Sequence, residues 1–168
     1  SLGFILGDEG SGADIGKKLL TDYLYGNLPQ SMQARFEKRF GNDHAVFIEN
    51  IYRKPFPNRY LASFSKFVYQ NLNEIYCSDM VADRFRAFFR VHIMRYENWE
   101  QLPMHCTGSV AFYYSNILRA VAAEQAAAQV QAQPLAFQAD GSEGAGDDAE
   151  AAALPAVCRV QDRAAPHP

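Results

Sequence analysis

Aromatic residues occupy only one part of this 168-residue chain, and that distribution decides where a hydrophobic core can form. Of the 22 Phe, Tyr and Trp residues, 21 precede Ala123 and only Phe137 follows it. Aromatic side chains bury the largest areas and dominate the energetics of protein cores. We therefore expect one folded domain over residues 1–123, followed by an alanine-rich, low-complexity tail over residues 124–168 that is disordered.

The charge balance changes at the same boundary. Residues 1–123 carry 14 Lys and Arg against 12 Asp and Glu, whereas residues 124–168 carry 2 against 7. Neither part has the basic excess of a protein that binds nucleic-acid phosphates, so no nucleic-acid partner is expected. No apolar run approaches the roughly 20 residues that span a bilayer, and the start lacks the basic flank of a signal peptide. We therefore expect a cytoplasmic protein without a membrane partner.

The three cysteines are Cys77, Cys106 and Cys158, which are odd in number and far apart. The chain has no C-x-x-C pair and no spacing typical of a metal or iron–sulfur site. This usage favours a reduced intracellular protein over a disulfide scaffold.

Apolar periodicity predicts a mostly helical chain with two short strands, Gly3–Leu6 and Met104–Thr107. Ser11 and Asp14 have the spacing of a capping box at the start of the first helix. The two prolines of "RKPFPNRY" predict an extended segment over residues 53–60, because proline restricts the residue before it. Helices are predicted from about residues 11 to 26, 29 to 40, 45 to 51, 61 to 68 and 79 to 96, and again after a cap at Ser109.

The segment "GDEGSG", residues 7–12, follows the first predicted strand. Its glycines permit positive φ angles or a close approach of the backbone to a ligand, and Asp8 and Glu9 can accept hydrogen bonds from hydroxyl groups. These properties suit a sugar or a polyol. The segment has neither the G-x-G-x-x-G spacing nor the Lys-Ser/Thr of a phosphate loop. The alternative is a plain strand-to-helix turn whose acids cap the helix or pair with Lys17.

A second candidate site lies at Thr107, Gly108 and Ser109, between the second predicted strand and the last predicted helix. Free backbone N–H groups at a helix start, beside a small residue, provide a place where a phosphate or adenosine can lie. The alternative is an ordinary turn capped by Ser109. The residues alone leave both interpretations open.

Three ordered blocks, "GFILGDEGSGADIGKKLL", "YRKPFPNRYLASFSKF" and "CTGSVAFYYSNIL", together resemble a known family. They are similar to the C-terminal half of bacterial N-acetylglucosamine kinase-like proteins of the BadF/BadG/BcrA/BcrD ATPase family, within the sugar kinase, Hsp70 and actin superfamily. The resemblance covers about residues 1–123. It implies an α/β fold, namely an RNase H-like (actin-like ATPase) C-terminal lobe with a large helical insertion.

The resemblance also implies a function, the ATP-dependent phosphorylation of N-acetylglucosamine or a related amino sugar, with ATP and Mg²⁺ as cofactors. Asp8 is the expected sugar-contacting carboxylate. The full set of implied sugar-binding residues is Gly7, Asp8, Glu9 and Gly10. The implied nucleotide-binding residues are Thr107, Gly108 and Ser109, and no residue is assigned to a metal.

The sequence departs from this family in two places. The phosphate loop and the catalytic Asp of the family's N-terminal lobe have no counterpart here, so we expect a fragment that has no catalytic residue and is inactive alone. After the last predicted helix, the alanine-rich tail replaces the family's further glycine-containing segments. Two alternatives stay open: an activator ATPase of the 2-hydroxyacyl-CoA dehydratase type and a non-catalytic sugar sensor. The expected partners are the sugar and ATP, with homodimerisation left open.

Overall fold

Helices make up most of the chain in the computed structural model, which describes residues 2–128, 137–140 and 157–160. In chain order the elements are α1 (Gly3–Leu6), α2 (Gly12–Leu24), α3 (Gln30–Phe40), α4 (His44–Tyr52), α5 (Pro57–Ser63), α6 (Ser65–Gln70), α7 (Ile75–Phe88), a π-helix (Phe89–Ile93), a 3-10 helix (Trp99–Gln101), β1 (Met104–Thr107), α8 (Ser109–Tyr113), α9 (Ser115–Ala127), β2 (Phe137–Asp140) and β3 (Val157–Val160).

Helix α2 lies at the centre of the packing. Its residues Ile15, Leu19 and Leu20 recur on one side and are at most 2% exposed. Helices α5, α6 and α7 pack against α2. Gly16 allows α2 and α5 to meet at backbone distance, since a Cβ at this position would lie 1.8 Å from the Leu61 carbonyl oxygen. The 7–12 segment leads directly into α2 and is therefore attached to the core.

An aromatic cluster joins α2 to the three helices that follow it in the chain. The Phe36 ring on α3 is fully buried and lies 4.3 Å from the ring centroid of Tyr23 on α2. It lies 5.8 Å from Phe47 on α4 and 5.7 Å from Phe64, which stands between α5 and α6. Aromatic pairs at these separations each contribute about 0.5–1.5 kcal/mol beyond their area burial. The core thus draws on the aromatic residues that precede Ala123.

A small sheet has the strand order β2-β1-β3, and its central strand β1 was predicted from the sequence. Strand β1 pairs in parallel with β2, with Met104 opposite Phe137, and antiparallel with β3. Met104 and Cys106 are buried, whereas Thr107 is exposed, as alternation along a strand requires. Cys106 is disulfide-bonded and Cys77 is a buried free thiol, so the preference for reduced cysteines is wrong for Cys106.

The helices predicted over residues 11–26, 29–40 and 45–51 are confirmed as α2, α3 and α4, with ends that differ by at most two residues. Ser11 is the N-cap of α2, and its Oγ accepts a hydrogen bond from the Asp14 backbone N–H at 3.1 Å. The helix predicted over residues 79–96 begins earlier, at Ile75, and changes to a π-helix at Phe89.

The predicted strand at Gly3–Leu6 is wrong, because this segment forms the short helix α1. The expected buried residues are also exposed, with Ile5 and Leu6 each 73% exposed. A strand satisfies its backbone groups only beside another strand, and the sheet of the described residues consists of β1, β2 and β3. The helical turn instead pairs backbone groups within the segment, since the Gly7 N–H donates to the Gly3 carbonyl at 2.8 Å.

The predicted extended segment over residues 53–60 is wrong, because residues 53–55 form a turn with bends and residues 57–60 are helical. Helix α5 begins at Pro57, where the missing N–H of proline costs nothing and its fixed φ suits the first helical position. Phe56 precedes it in a left-handed conformation, with φ 58° and ψ 49°. The chain therefore turns over residues 53–56, between α4 and α5, instead of running extended.

The predicted domain boundary at Ala123 falls inside α9, which ends at Ala127. Strands β2 and β3 lie within residues 124–168, the segment for which disorder was expected. The rest of that segment beyond residue 128 lies outside the described residues, and the two-part division stays a prediction.

Candidate functional site

The 7–12 segment, hereafter the acidic loop, forms a tight turn before α2. The Ser11 N–H donates to the Asp8 carbonyl at 2.9 Å, which closes a four-residue turn. Gly10 stands at the third position with φ 77°, as a type II turn requires. A Cβ on Gly10 would lie 3.0 Å from the Phe88 Cβ, so glycine is needed both for the backbone angle and for the contact with α7.

Asp8 also adopts a left-handed conformation, with φ 67°. Such a conformation is rare for residues other than glycine, although Asp and Asn adopt it more readily than most. The Asp8 side chain is partly buried. The acidic loop thus contains two left-handed residues, and Glu9 lies between them.

Asp14 fixes the acidic loop from within α2. Its Oδ2 accepts a hydrogen bond from the Gly10 N–H at 3.0 Å, so the predicted capping box is present with its second bond displaced by one residue, from Ser11 to Gly10. Asp14 is only 6% exposed, and burial raises the pKa of its carboxyl group against the opposing effects of the Gly10 hydrogen bond, Arg84 and Lys17. Lys17 and Arg84 each place a nitrogen 3.9 Å from Asp14 Oδ1.

Glu9 pairs with His92 on the π-helix. The distance between Glu9 Oε2 and His92 Nε2 is 2.8 Å. Partial burial acts to raise the pKa of Glu9, but hydrogen bonds from its own backbone and from His92, with the charges of His92 and Lys17, outweigh it and hold the pKa below the ordinary 4.5. Glu9 is therefore a carboxylate at neutral pH.

The second predicted site, Thr107 to Ser109, lies at the end of β1. Thr107 and Gly108 are exposed, and Gly108 has φ 101°. Gly108 is the N-cap residue of α8, and its carbonyl accepts a hydrogen bond from the Phe112 N–H at 3.0 Å. The prediction that Ser109 caps this helix is wrong, because Ser109 is the first helical residue and no side chain caps α8.

The fold brings these two segments near each other through α2 and α8. A Cβ on Gly12, which ends the acidic loop, would lie 3.7 Å from Val110 Cγ2 on α8. Tyr114, at the end of α8, donates its hydroxyl hydrogen bond to the Ser65 carbonyl at 2.7 Å, which connects α8 to α6. The end of the acidic loop therefore lies against the first turn of α8, which directly follows the 107–109 turn.

Reasoning from the sequence missed the charged neighbours of the acidic loop, above all His92 and Arg84. His92 lies on the π-helix, and its Nε2 is hydrogen-bonded to Glu9 Oε2 at 2.8 Å. Its partner could not be inferred, since 83 residues separate it from Glu9 and no local spacing links them.

Over residues 2–128, 137–140 and 157–160, no three His, Cys, Asp or Glu side chains converge in a way that could hold a metal ion. Within the same ranges, each helix is too short or too polar to cross a bilayer.

No protein-family model matches the chain, and no curated protein matches it. Among solved structures, it is similar to a crystal structure from Porphyromonas gingivalis whose assignment as an N-acetylglucosamine kinase is itself provisional. The two chains share 38% sequence identity with a TM-score of 0.73, over 82% of this chain and 46% of the other. This chain thus spans about half the length of the protein that it matches. The identity and the shared fold together relate it to kinase-like proteins.

Proposed function

We propose that this chain is part of an ATP-dependent sugar kinase and contributes residues to its sugar pocket and its nucleotide site. The substrate is N-acetylglucosamine or a related amino sugar. The observation that carries the proposal is the 38% identity and TM-score of 0.73 with the Porphyromonas gingivalis protein. The finer assignment, to the RNase H-like C-terminal lobe of a BadF/BadG/BcrA/BcrD ATPase, rests on the three sequence blocks that resemble that family.

The acidic loop is the proposed sugar-binding segment, comprising Gly7, Asp8, Glu9 and Gly10. Ionised carboxylates accept strong hydrogen bonds from hydroxyl groups, and two of them stand here in succession on a backbone held by Asp14 and α7. A rigid support suits sugar recognition, because ordering a flexible loop on binding would reduce the affinity. Partial burial of Asp8 and Glu9 strengthens hydrogen bonds there relative to bulk water.

The turn of Thr107, Gly108 and Ser109 is the proposed nucleotide contact. The exposure of Thr107 and Gly108, with no side chain on Gly108, supports a close approach of a ligand to the backbone. Its position beside the start of α2 supports a sugar and a nucleotide binding next to each other. ATP supplies the transferred phosphoryl group when it is bound with Mg²⁺. We assign no residue of this chain to Mg²⁺.

We assign no catalytic base to this chain and expect it to bind sugar without turning it over. Phosphoryl transfer requires the phosphates, Mg²⁺ and the attacking hydroxyl to be positioned together. The proposed contribution of the described residues is the binding and orientation of the sugar. Binding is therefore the property to measure.

The test is a calorimetric titration of the 168-residue chain with N-acetylglucosamine. Asp8→Asn is the informative variant, because Asn tolerates the left-handed backbone of Asp8 while removing its charge. Asp79→Asn, at an exposed carboxylate on α7, is the matched control. We expect binding by the wild type, affinity lower by about tenfold in Asp8→Asn, and no change in Asp79→Asn. A folded wild type that does not bind, or an Asp8→Asn variant that binds as tightly as the wild type, would overturn the assignment.

A further inference from the structure

The contact between Glu9 and His92 joins two segments that are 83 residues apart in the chain. Glu9 lies in the acidic loop, whereas His92 lies on the π-helix that follows α7. Their side chains are 25% and 35% exposed, so the pair is partly shielded from water. Charge-assisted hydrogen bonds in such settings are stronger than those on an open surface.

The direction of this hydrogen bond follows from the chemistry of its partners. Glu9 is a carboxylate and can only accept, so His92 Nε2 carries the hydrogen and donates. The His92 ring packs 5.5 Å from the Phe88 ring, which itself contacts Gly10. The charged groups facing Glu9 from α2 are Lys17 and Asp14.

The acidic loop needs support because its backbone conformation is costly. The left-handed conformation is unfavourable for a residue with a side chain, and Asp8 adopts it with φ 67°. Two backbone restraints act on either side of Glu9, the bond from Ser11 N–H to the Asp8 carbonyl and the bond from Gly10 N–H to Asp14. Both come from α2 or its cap. His92 adds a restraint from another element, and it acts on the Glu9 side chain.

The π-helix contributes to this placement. Its wider turn is marked by the Met94 N–H, which donates to the Phe89 carbonyl, five residues back, at 2.8 Å. A π turn inserts a residue and so changes the directions of the side chains that follow, and such turns occur frequently at functional sites. Here the change falls on the segment that holds His92.

We propose that His92 is a positioning residue of the sugar site: it holds the Glu9 carboxylate toward the π-helix and thereby fixes the acidic loop in its sugar-accepting conformation. This inference rests on the proposed function for its ligand, and on the Glu9–His92 contact for its mechanism. His92 acts on the sugar through Glu9 and does not contact the sugar itself.

The test compares two variants of the full chain by amide hydrogen exchange and by titration with N-acetylglucosamine. His92→Phe keeps a ring beside Phe88 but removes the donor, whereas His92→Gln keeps a donor near the position of Nε2. In His92→Phe, we expect the Gly10 and Ser11 amides to exchange about tenfold faster and the sugar affinity to fall about tenfold. In His92→Gln, both quantities should stay within about threefold of the wild type. The amides of Leu19 and Leu20 report whether the fold is intact.

The possible outcomes separate this inference from the proposed function. Unchanged loop exchange and unchanged affinity in His92→Phe would overturn the positioning role. A loss of affinity without faster loop exchange would also overturn it, because His92 would then contact the sugar directly. If the wild type does not bind the sugar but His92→Phe still loosens the loop and His92→Gln does not, the proposed function fails while the positioning of Glu9 stands.

Discussion

Substituting Gly16 by Ala tests the packing that holds the acidic loop. Helix propensity alone favours this change by about 1 kcal/mol in a helix interior. The structure predicts the opposite sign, because the new Cβ would lie 1.8 Å from the Leu61 carbonyl oxygen and 3.2 Å from the Phe64 Cβ. Helices α2 and α5 would have to separate by about 1.5 Å to restore normal contact. Overpacking typically costs 1–3 kcal/mol, and the obstacle here is backbone, so we expect a cost of about 3 kcal/mol, which the gain in helix propensity reduces to a net loss of about 2 kcal/mol.

Thermal and urea denaturation followed by circular dichroism measure this loss. For a chain of this size, it corresponds to a decrease in melting temperature of about 5–10 °C. Gly12→Ala is the matched control on the same helix, since its Cβ would lie 3.6 Å from the Ala62 Cβ, an ordinary contact distance. That variant should stay within about 0.5 kcal/mol of the wild type or exceed it. Equal stability of the two variants would refute the argument from close packing.

The pH dependence of stability should have opposite signs at Glu9 and Asp14. The pKa of Glu9 is held below 4.5 in the fold, so the stability that its carboxylate contributes is present above pH 4.5 and is lost on acidification. The free energy of unfolding of the wild type and of Glu9→Gln, measured by urea titration, should therefore differ less as the pH falls. Burial raises the pKa of Asp14 above 3.8, so the folded protein loses stability as the pH rises through the pKa of Asp14 in the fold. The free energy of unfolding of Asp14→Asn should therefore increase relative to that of the wild type with increasing pH. A decrease with increasing pH would contradict the raised pKa. Burial also raises the pKa of the Cys77 thiol to about 12. Iodoacetamide at mildly alkaline pH should therefore label Cys77 only when urea unfolds the chain, which mass spectrometry measures. Labelling of the folded chain would disprove the burial of Cys77.

Much of the fold could be predicted where its signals are local. Helix α2 has a cap at Ser11 and apolar residues at helical spacing, and each of these signals lies within one or two turns of the residues it orders. Residues 3–6 carry a strand-like pattern, but a strand depends on a neighbour that the pattern does not supply. The left-handed Phe56 stands in the turn between α4 and α5, which pack against each other, and the local sequence pattern predicted an extended residue there.

In the candidate site, too, local features could be predicted from the sequence, whereas contacts between distant residues could not. The need for glycine at position 10 follows from the turn, and the sequence indicated it. The contact of Gly10 with Phe88 and the contact of Glu9 with His92 arise from the packing of the loop against α7 and the π-helix. Because the residues involved are far apart in the chain, only the folded structure shows that Glu9 has a partner.

Since the acidic loop is continuous with α2, and α2 lies at the centre of the core, occupation of the loop and global unfolding are thermodynamically linked. A ligand that binds only the folded loop stabilises the whole folded unit by mass action, by about 2.7 kcal/mol at a concentration one hundred times its Kd. The increase in melting temperature therefore measures which ligands the chain binds, without any need for turnover. Melting temperatures recorded across a panel of amino sugars, neutral sugars and polyols would rank these ligands by affinity.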